Sequence, residues 1–215
     1  DLMPKSNSKE VLNMMAQIDA QGKLSGKIRH QYFDYNAYLY RANYNGVAKE
    51  SLMERLEKKY NGIEILEYDV QNNHDFTKPI IENYAFEATN SVEIIGDKMY
   101  VSPLLFFALE QNPFKSEVRE YPVDFGFPNQ DKFNVSLTIP EGYTIETIPQ
   151  PKAIAMPEGL ANFKYNISNT ENVIQLTYAV DINKAIIYAD YYDALKNFFK
   201  ELVNKQTEKI VLKKI

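Results

Sequence analysis

The sequence predicts a mainly β protein, α+β by content, with an antiparallel β-sandwich-like architecture and about three packed helices. Apolar residues alternate with polar ones in many short segments, which is typical of strands that bury one face. Turn-forming residues separate these segments at short intervals. Only three stretches have helical spacing, and they are too few and wrongly placed for alternating βαβ units.

The first part of the chain predicts a β-hairpin followed by two helices. Gly22 lies between the two strands and can adopt the positive φ of a tight turn. Asp34 is the expected N-cap of the first helix, and Asn61 and Gly62 are expected to end the second. The predicted elements are strands over 11–18 and 24–32 and helices over 35–44 and 47–60.

The middle of the chain returns to strands. The alternation changes phase after Ile65, which predicts a β-bulge. Gly96 and Asp97 form a two-residue turn between two short apolar runs, so a second hairpin is predicted there. The predicted strands cover 63–70, 84–88, 92–95 and 98–101.

Four prolines interrupt residues 103–128, and we place a boundary between two units there. Residues 1–112 are predicted to form a β-rich unit with two helices, and residues 113–215 a sandwich-like C-terminal module with one helix. Asp190 and Asp193 open that last helix, where carboxylates cap backbone N–H groups. The predicted elements are strands over 133–139, 163–167, 174–182 and 210–212 and a helix over 190–205.

Composition excludes several classes of function. The net charge of −5 and the pI near 5.2 argue against a surface for nucleic acid or anionic membranes. No run approaches 18 apolar residues, so no membrane span is expected. The chain has no cysteine, which excludes disulfides, a thiolate nucleophile and cysteine metal sites. It opens on Asp1 without signal-peptide features, which predicts either a cytosolic chain or a fragment of an exported one.

The two histidines give little sign of chemistry. His30 is in phase with Ile28 and is interpreted as a core or rim residue, whereas His74 lies in an expected surface turn. Two distant histidines cannot supply a zinc site, so no metal or cofactor is predicted. No carboxylate is expected in an apolar setting, although a carboxylate enzyme such as a glycosidase is a third hypothesis.

Tyrosine is the unusual residue type, with 16 copies and no tryptophan. A cluster around the first helix could form a flat stacking platform for a sugar or a peptide. Helical i, i+4 spacing equally indicates packing of a helix on a sheet, and we favour that reading. The candidate binding residues are Tyr35, Tyr38, Tyr40 and Tyr44.

Three segments, 119–128, 139–143 and 191–199, resemble a known family. It is the uncharacterised C-terminal module of transglutaminase-like envelope proteins of bacteria, common in the Bacteroidetes. Residues 22–27 and 100–105 are similar to the linking region that precedes this module. The motif residues that carry the resemblance are Arg119, Pro122, Val123, Asp124, Phe125 and Pro128.

The resemblance implies a papain-like core upstream in the same polypeptide, with a Cys, His and Asp triad that cannot be carried onto this chain. It therefore implies a non-catalytic accessory module, with that upstream domain as partner and the periplasm or outer envelope as location. Segment 119–128 would be a clasp in which prolines fix φ, Asp124 pairs with Arg119, and Phe125 and Phe127 are buried. The alternative is a glycan- or peptide-binding β-sandwich that uses surface tyrosines.

Overall fold

The computed structural model describes residues 7–60 and 62–215, and strands dominate it. The mainly β fold class, with three α-helices in the described residues, is confirmed. The strands are β1 (Ser8–Ile18), β2 (Leu24–Tyr32), β3 (Ile63–Gln71), β4 (Ile80–Ala88), β5 (Val92–Ile95), β6 (Lys98–Val101), β7 (Val123–Asp124), β8 (Asn129–Thr138), β9 (Tyr143–Thr147), β10 (Lys152–Ala155), β11 (Ala161–Thr170), β12 (Val173–Ile182), β13 (Ile186–Ile187) and β14 (Ile210–Lys214). The helices are α1 (Asp34–Tyr44), α2 (Lys49–Lys59) and α3 (Tyr192–Gln206).

An eight-stranded sheet forms the main layer, in the order β10-β11-β12-β8-β1-β2-β4-β3. A four-stranded sheet has the order β5-β6-β14-β9, and β7 pairs with β13. Nearly all neighbours are antiparallel, as the alternation predicted. The exception is the pair β1 and β8, which run parallel over ten residue pairs. The long chain segment between them provides the crossover connection that parallel strands need.

The core lies on one face of the eight-stranded sheet, which we call the inner face. Alternate residues of its strands are buried there because side chains of a strand point to opposite faces with a period of two. Buried residues of the four-stranded sheet, of α2 and of α3 belong to the same hydrophobic cluster. Met99, Leu195 and Leu212, for example, are fully buried in it. The inner face is therefore covered by a second layer of strands and helix.

Most predicted elements are present within a few residues of their expected bounds. The predicted bulge in β3 is confirmed, because the register with β4 shifts between Ile65 and Glu67. Strands β7, β9, β10 and β13 were not predicted. They have only two to five residues each, and no two-residue turn joins them into a hairpin as it joins the equally short β5 and β6. The expected end of the second helix falls partly on Asn61, which lies outside the described residues.

The expected capping by side chains is wrong for α1 and α3. Asp34 lies inside the first turn of α1 with φ +50° and makes no capping hydrogen bond. Instead the hydroxyl of Ser8, at the start of β1, accepts a hydrogen bond of 3.1 Å from the backbone N–H of Asn36. Asp193 lies in the first turn of α3, and its carboxylate likewise accepts no capping hydrogen bond from a backbone N–H. A cap from a distant strand is invisible to local sequence analysis.

The eight-stranded sheet includes strands from both sides of residue 112. Strand β1 precedes that position and β8 follows it, and their parallel register runs from Ser8–Asn129 to Gln17–Thr138. Strand β6 also precedes residue 112, and it pairs with β14 near the end of the chain. The division into 1–112 and 113–215 stays a prediction about which parts fold independently.

Candidate functional site

One end of the inner face carries ionisable side chains instead of apolar ones. Glu10 of β1 lies opposite Asp131 of β8, and His30 of β2 lies opposite Glu82 of β4. All four residues occupy strand positions that point to the inner face, in phase with apolar neighbours such as Leu12. We call this group, Glu10, His30, Glu82 and Asp131, the polar end of the sheet.

Glu82 is completely buried and is surrounded by donors. Its Oε1 accepts hydrogen bonds from the hydroxyls of Tyr40 (3.2 Å) and Tyr68 (2.5 Å) and from Nη2 of Arg55 (2.9 Å). Its Oε2 accepts one from the hydroxyl of Tyr32 at 3.0 Å. A buried carboxylate is tolerated when it is paired and hydrogen-bonded in this way.

The tyrosines that contact Glu82 stay protonated. Burial is the main cause that raises the pKa values of Tyr32, Tyr40 and Tyr68, and the negative charge of Glu82 raises them further. Because a phenolate beside a carboxylate would be strongly disfavoured, the three hydroxyls act as donors. The three hydroxyls therefore stabilise the negative charge of Glu82 by hydrogen bonds.

His30 continues this network towards Glu10. Its Nδ1 lies 2.9 Å from the Tyr32 hydroxyl, and that hydroxyl gives its single proton to Glu82. Hydrogen-bond counting therefore places a ring proton on Nδ1, which donates to the Tyr32 oxygen. The Nε2 atom lies 3.2 Å from Oε2 of Glu10 and has no hydrogen-bond partner among the described residues. The interpretation of His30 as a buried core or rim residue is confirmed.

Asp131 has a different environment from Glu82. Its Oδ1 accepts a hydrogen bond of 2.7 Å from the side-chain amide of Asn129, which in turn accepts one of 2.8 Å from Asn36. Burial, and then the negative charge of Glu10, raise the pKa of Asp131 to about 6. The expectation that no carboxylate lies in an apolar setting is therefore wrong for Asp131, because tertiary packing brings apolar residues of other elements around it.

A cavity of about 340 Å³ opens beside Asp131, between the eight-stranded sheet and α3. Asp131 is the one charged residue among the described residues that line it. Neutral polar groups come from Asn36, Asn129, Tyr178 and Gln206. Most of the wall is apolar, with a large contribution from Phe107, Phe125, Phe127, Phe133, Phe199 and Leu202. We call this space the Asp131 cavity.

The structure divides the four candidate tyrosines. Tyr35 and Tyr38 are 49% and 64% exposed, whereas Tyr40 is buried against Glu82. Tyr44 is half-buried, packs edge-on against Tyr40 and lies under the guanidinium of Arg55. The packing that we favoured for this cluster is therefore found at Tyr40 and Tyr44, because a helix on a sheet must turn one side towards it, and a binding surface is left with only Tyr35 and Tyr38.

One of the two exposed tyrosines, Tyr35, lies next to a residue of the Asp131 cavity. The ring of Tyr35 stacks on that of Phe127, with centroids 5.1 Å apart and planes at 19°. Phe127 also lines the cavity. Tyr35 and Phe127 thus form an aromatic pair at the edge of the cavity, and Tyr38 borders a shallow surface pocket together with Tyr35.

The motif segment 119–128 forms part of the same wall. Val123 and Pro128 are buried, and Phe125 is partly buried, whereas Pro122 is exposed. Residues Val123–Asp124 pair with Ile186–Ile187, and the N–H of Phe125 donates to the carbonyl of Ala185. The segment is therefore held against the chain just before α3.

The predicted pairing of Arg119 with Asp124 is absent from the described residues. The Nε of Arg119 donates to the carbonyl of Tyr121 at 3.0 Å, and its guanidinium lies 6.0 Å from the ring centre of Tyr192. Asp124 accepts a hydrogen bond from the N–H of Gly126. Each side chain stabilises its own turn instead. The burial predicted for Phe125 and Phe127 is partial.

Sequence analysis missed the ionisable residues of the polar end other than His30. A usable signal was present, because a charged residue in phase with buried apolar ones faces the core. Glu82 is in phase with Ile80 and Tyr84, and Asp131 with Phe133 and Val135. Over the described ranges, 7–60 and 62–215, no group of three or more His, Cys, Asp or Glu residues could hold a metal ion. None of the helices found there has the length and apolarity to cross a membrane.

Comparisons with known proteins identify a family for the second half of the chain. A family model described as a domain of unknown function with solved structure, DUF3858, matches residues 97–212, which is just over half of the chain. A search of curated proteins found no match. One similar solved structure is that of a "putative protease" from Parabacteroides distasonis ATCC 8503, with 16% identity and a TM-score of 0.40. That similarity covers 46% of this chain and 19% of the other, so the chain spans about a fifth of that protein.

Proposed function

The chain belongs to the DUF3858 family, and from this premise we propose that it is a non-catalytic accessory module of a transglutaminase-like envelope protein. The motif segments 119–128, 139–143 and 191–199 all lie within the matched residues 97–212. They are the segments that resemble the module which follows a papain-like core. The proposed partner is accordingly an upstream transglutaminase-like domain of the same polypeptide, and the proposed location is the periplasm or outer envelope.

The observation that carries the non-catalytic role is the way in which Glu82 and His30 are held. A general acid or base must reach a substrate proton, directly or through one water. Glu82 is fully buried and accepts hydrogen bonds from four side chains, and the Nδ1 of His30 is engaged with Tyr32. These groups support a stable scaffold on which a second domain can dock.

The exposed part of the motif segment is the proposed contact with the upstream domain. Val118 and Tyr121 are 79% and 75% exposed, although both are apolar or aromatic. The chain that follows Val118 and Tyr121 is held in place, because Val123–Asp124 pairs with Ile186–Ile187. A fixed segment that presents apolar side chains is suited to an interface, because little freedom is lost on binding.

Association with the separately produced upstream domain tests this proposal. We expect a complex on size-exclusion chromatography and a higher unfolding temperature of either partner in the mixture. The double substitution Val118→Ser with Tyr121→Ser should weaken the complex, whereas Met15→Ser on the opposite, outer face of the main sheet should not. Absence of association, or turnover of a peptide or glycan by the isolated chain, would overturn it.

A second candidate is supported by a separate observation, the exposed stack of Tyr35 on Phe127 with Tyr38 beside it. Flat aromatic surfaces bind sugars and peptides because they offer an apolar face with a polar edge. Under this reading the chain is a glycan- or peptide-binding β-sandwich. Glycan- and peptide-array binding by the intact chain, lost in Tyr35→Ala and Tyr38→Ala but kept in Tyr188→Ala, would support it over the first candidate.

A further inference from the structure

We propose that the Asp131 cavity is a binding site for a small organic ammonium ion, whose charged group contacts the Asp131 carboxylate and whose hydrocarbon part lies among the phenylalanines. The cavity volume of about 340 Å³ is at the lower end of the range of small-molecule sites. Such sites are mostly apolar, with a few polar groups that orient the ligand. This proposal is independent of the accessory role, which requires no small ligand.

The charge of the wall selects a cation. Asp131 is the one charged residue among the described residues that line the cavity, and no lysine or arginine among them neutralises it. Its Oδ1 accepts a hydrogen bond from Asn129, while Oδ2 has no hydrogen-bond partner among the described residues. An ammonium group can donate to that oxygen, and such charge-assisted hydrogen bonds are roughly twice as strong as neutral ones.

The aromatic part of the wall favours the same kind of ligand. The faces of aromatic rings attract cations as well as apolar groups. Phe107 and Phe133 lie 5.8 Å apart between centroids, and Phe133 packs edge-on against Tyr178 at 5.5 Å. An aralkyl ammonium ion can therefore place its ring among these side chains and its charge at Asp131.

Neighbouring groups set how this site responds to pH. Glu10 of β1 and Asp181 of β12 raise the pKa of Asp131 by their charge, while His30 of β2 lowers it. Tyr178 of β12 also faces Asp131, and its own pKa is raised mainly by burial. Because the pKa of Asp131 is about 6, the carboxylate is ionised at pH 7.5 and mostly neutral at pH 4.5. Binding of a cation should weaken between these values.

Calorimetric titration with 2-phenylethylamine and with its neutral analogue 2-phenylethanol tests the proposal. At pH 7.5 we expect the intact chain to bind the amine at least about tenfold more tightly than the alcohol. The Asp131→Asn substitution should remove this preference. The matched control Asp69→Asn, an exposed carboxylate in β3 of the same sheet, should keep it.

The pH dependence of binding by the unmodified chain tests the proposal without any variant that could misfold. In the unmodified chain the preference for the amine should fall about tenfold or more from pH 7.5 to pH 4.5, since the amine itself stays protonated. Equal affinities for amine and alcohol at pH 7.5, no binding of either, or a preference that survives in Asp131→Asn would each overturn the proposal.

Discussion

Two carboxylates of the inner face, buried Glu82 and half-buried Asp131, differ in how many donors stabilise their charge. Glu82 accepts hydrogen bonds from Tyr32, Tyr40, Tyr68 and Arg55, which come from four elements. Asp131 accepts one from Asn129. Removing the charge should therefore lower the free energy of unfolding at Glu82, because it leaves donors unpaired. At Asp131 it should raise the free energy of unfolding, because it removes a desolvated charge.

The Glu82→Gln substitution should destabilise the chain by about 2–4 kcal/mol, because it leaves the half-buried charge of Arg55 without its partner. Tyr68→Phe, which removes one hydrogen bond to the same carboxylate, should cost about 1.5–3 kcal/mol. Urea unfolding followed by circular dichroism measures both. The control Glu64→Gln changes an exposed residue of β3 and should stay within about 0.5 kcal/mol. If Glu64→Gln lowers the free energy of unfolding as much as Glu82→Gln does, the hydrogen-bond network around Glu82 is not the cause of the lost stability.

The Asp131→Asn substitution should stabilise the chain at pH 7 by about 1–3 kcal/mol. The pKa of this carboxyl is raised from 3.8 to about 6 in the folded chain, mainly by burial, so the folded state binds more protons than the unfolded one between these values. The contribution of Asp131 to stability therefore decreases as pH rises from about 4 to 6. Asparagine keeps an acceptor for Asn129 without the charge.

Urea unfolding at pH 4 and pH 7 measures this difference. The variant and the unmodified chain should differ less in stability at pH 4, where the folded carboxyl is protonated and the unfolded one is partly ionised, than at pH 7, where both are ionised. A variant that is less stable at pH 7 would mean that the ionised carboxylate makes a favourable contact in the fold.

At the scale of elements, single side chains join segments that are far apart in sequence. The Ser8 hydroxyl donates to the carbonyl of Phe33 and accepts from the N–H of Asn36, which fixes the start of α1 to the start of β1. Buried Arg41 of α1 joins that helix to the loop between β3 and β4. These contacts orient α1 so that Tyr40 faces Glu82 and Tyr38 faces solvent.

The Arg41→Lys substitution should release the loop between β3 and β4. The guanidinium donates to the carbonyls of Asn72 (3.0 Å), Asp75 (2.8 Å) and Lys78 (2.8 Å) through Nη2, and to that of Asn73 through Nε. A lysine ammonium lacks this planar set of donors. We expect faster amide hydrogen exchange over 73–78 and a loss of about 1–3 kcal/mol in the free energy of unfolding.

The Arg29→Lys substitution, at an exposed position in β2, is the control for Arg41 and should change neither quantity. Exchange over 73–78 that is as slow in Arg41→Lys as in the unmodified chain would show that the loop is held by its own turns. Those turns include the hydrogen bonds from Thr77 to Asp75.

Gly26 allows β2 to fit between β1 and β4. A Cβ at this position would lie 2.5 Å from the carbonyl oxygen of Met15 and 2.9 Å from the ring of Phe86. Gly26→Ala should therefore cost about 1–3 kcal/mol by forcing the neighbouring strands to shift. At Gly46 nothing lies within 4 Å and φ is +78°, so alanine there should cost only the backbone strain of about 1–2 kcal/mol. Thermal unfolding measures both losses, and a Gly26→Ala variant as stable as the unmodified chain would show that the neighbouring strands shift without cost.

At the scale of the whole molecule, most strands were predictable because each buries one face. The resulting alternation of apolar and polar residues is visible in a strand's own sequence, whichever strands it pairs with. Pairing was not predictable, since the parallel neighbours β1 and β8 are about a hundred residues apart and no local signal joins them. The same reason hid the candidate site. Glu10 and Asp131 become neighbours only through that pairing, whereas the burial of His30 was predictable from its own strand.

The shared sheet predicts that the two proposed units depend on each other for stability. Residues 113–215 produced alone would lack β1, so β8 would become an exposed edge of the sheet. They would also lack β6, whose fully buried Met99 and Val101 lie opposite Leu212 and Ile210 of β14. We therefore expect residues 113–215 alone to show no cooperative urea transition, while the full chain unfolds in one.

Adding residues 1–112, produced separately, should restore a cooperative transition to residues 113–215, because it returns both missing strands. Dispersed amide resonances and a sharp transition for 113–215 alone would contradict this expectation and would establish the boundary near residue 112 as a boundary between independent domains. The same comparison with residues 97–215 separates the two contributions, because that fragment keeps β6 but still lacks β1. A fragment stabilised by β6 alone would identify the four-stranded sheet, rather than the pairing of β1 with β8, as the contact on which folding of the family module depends.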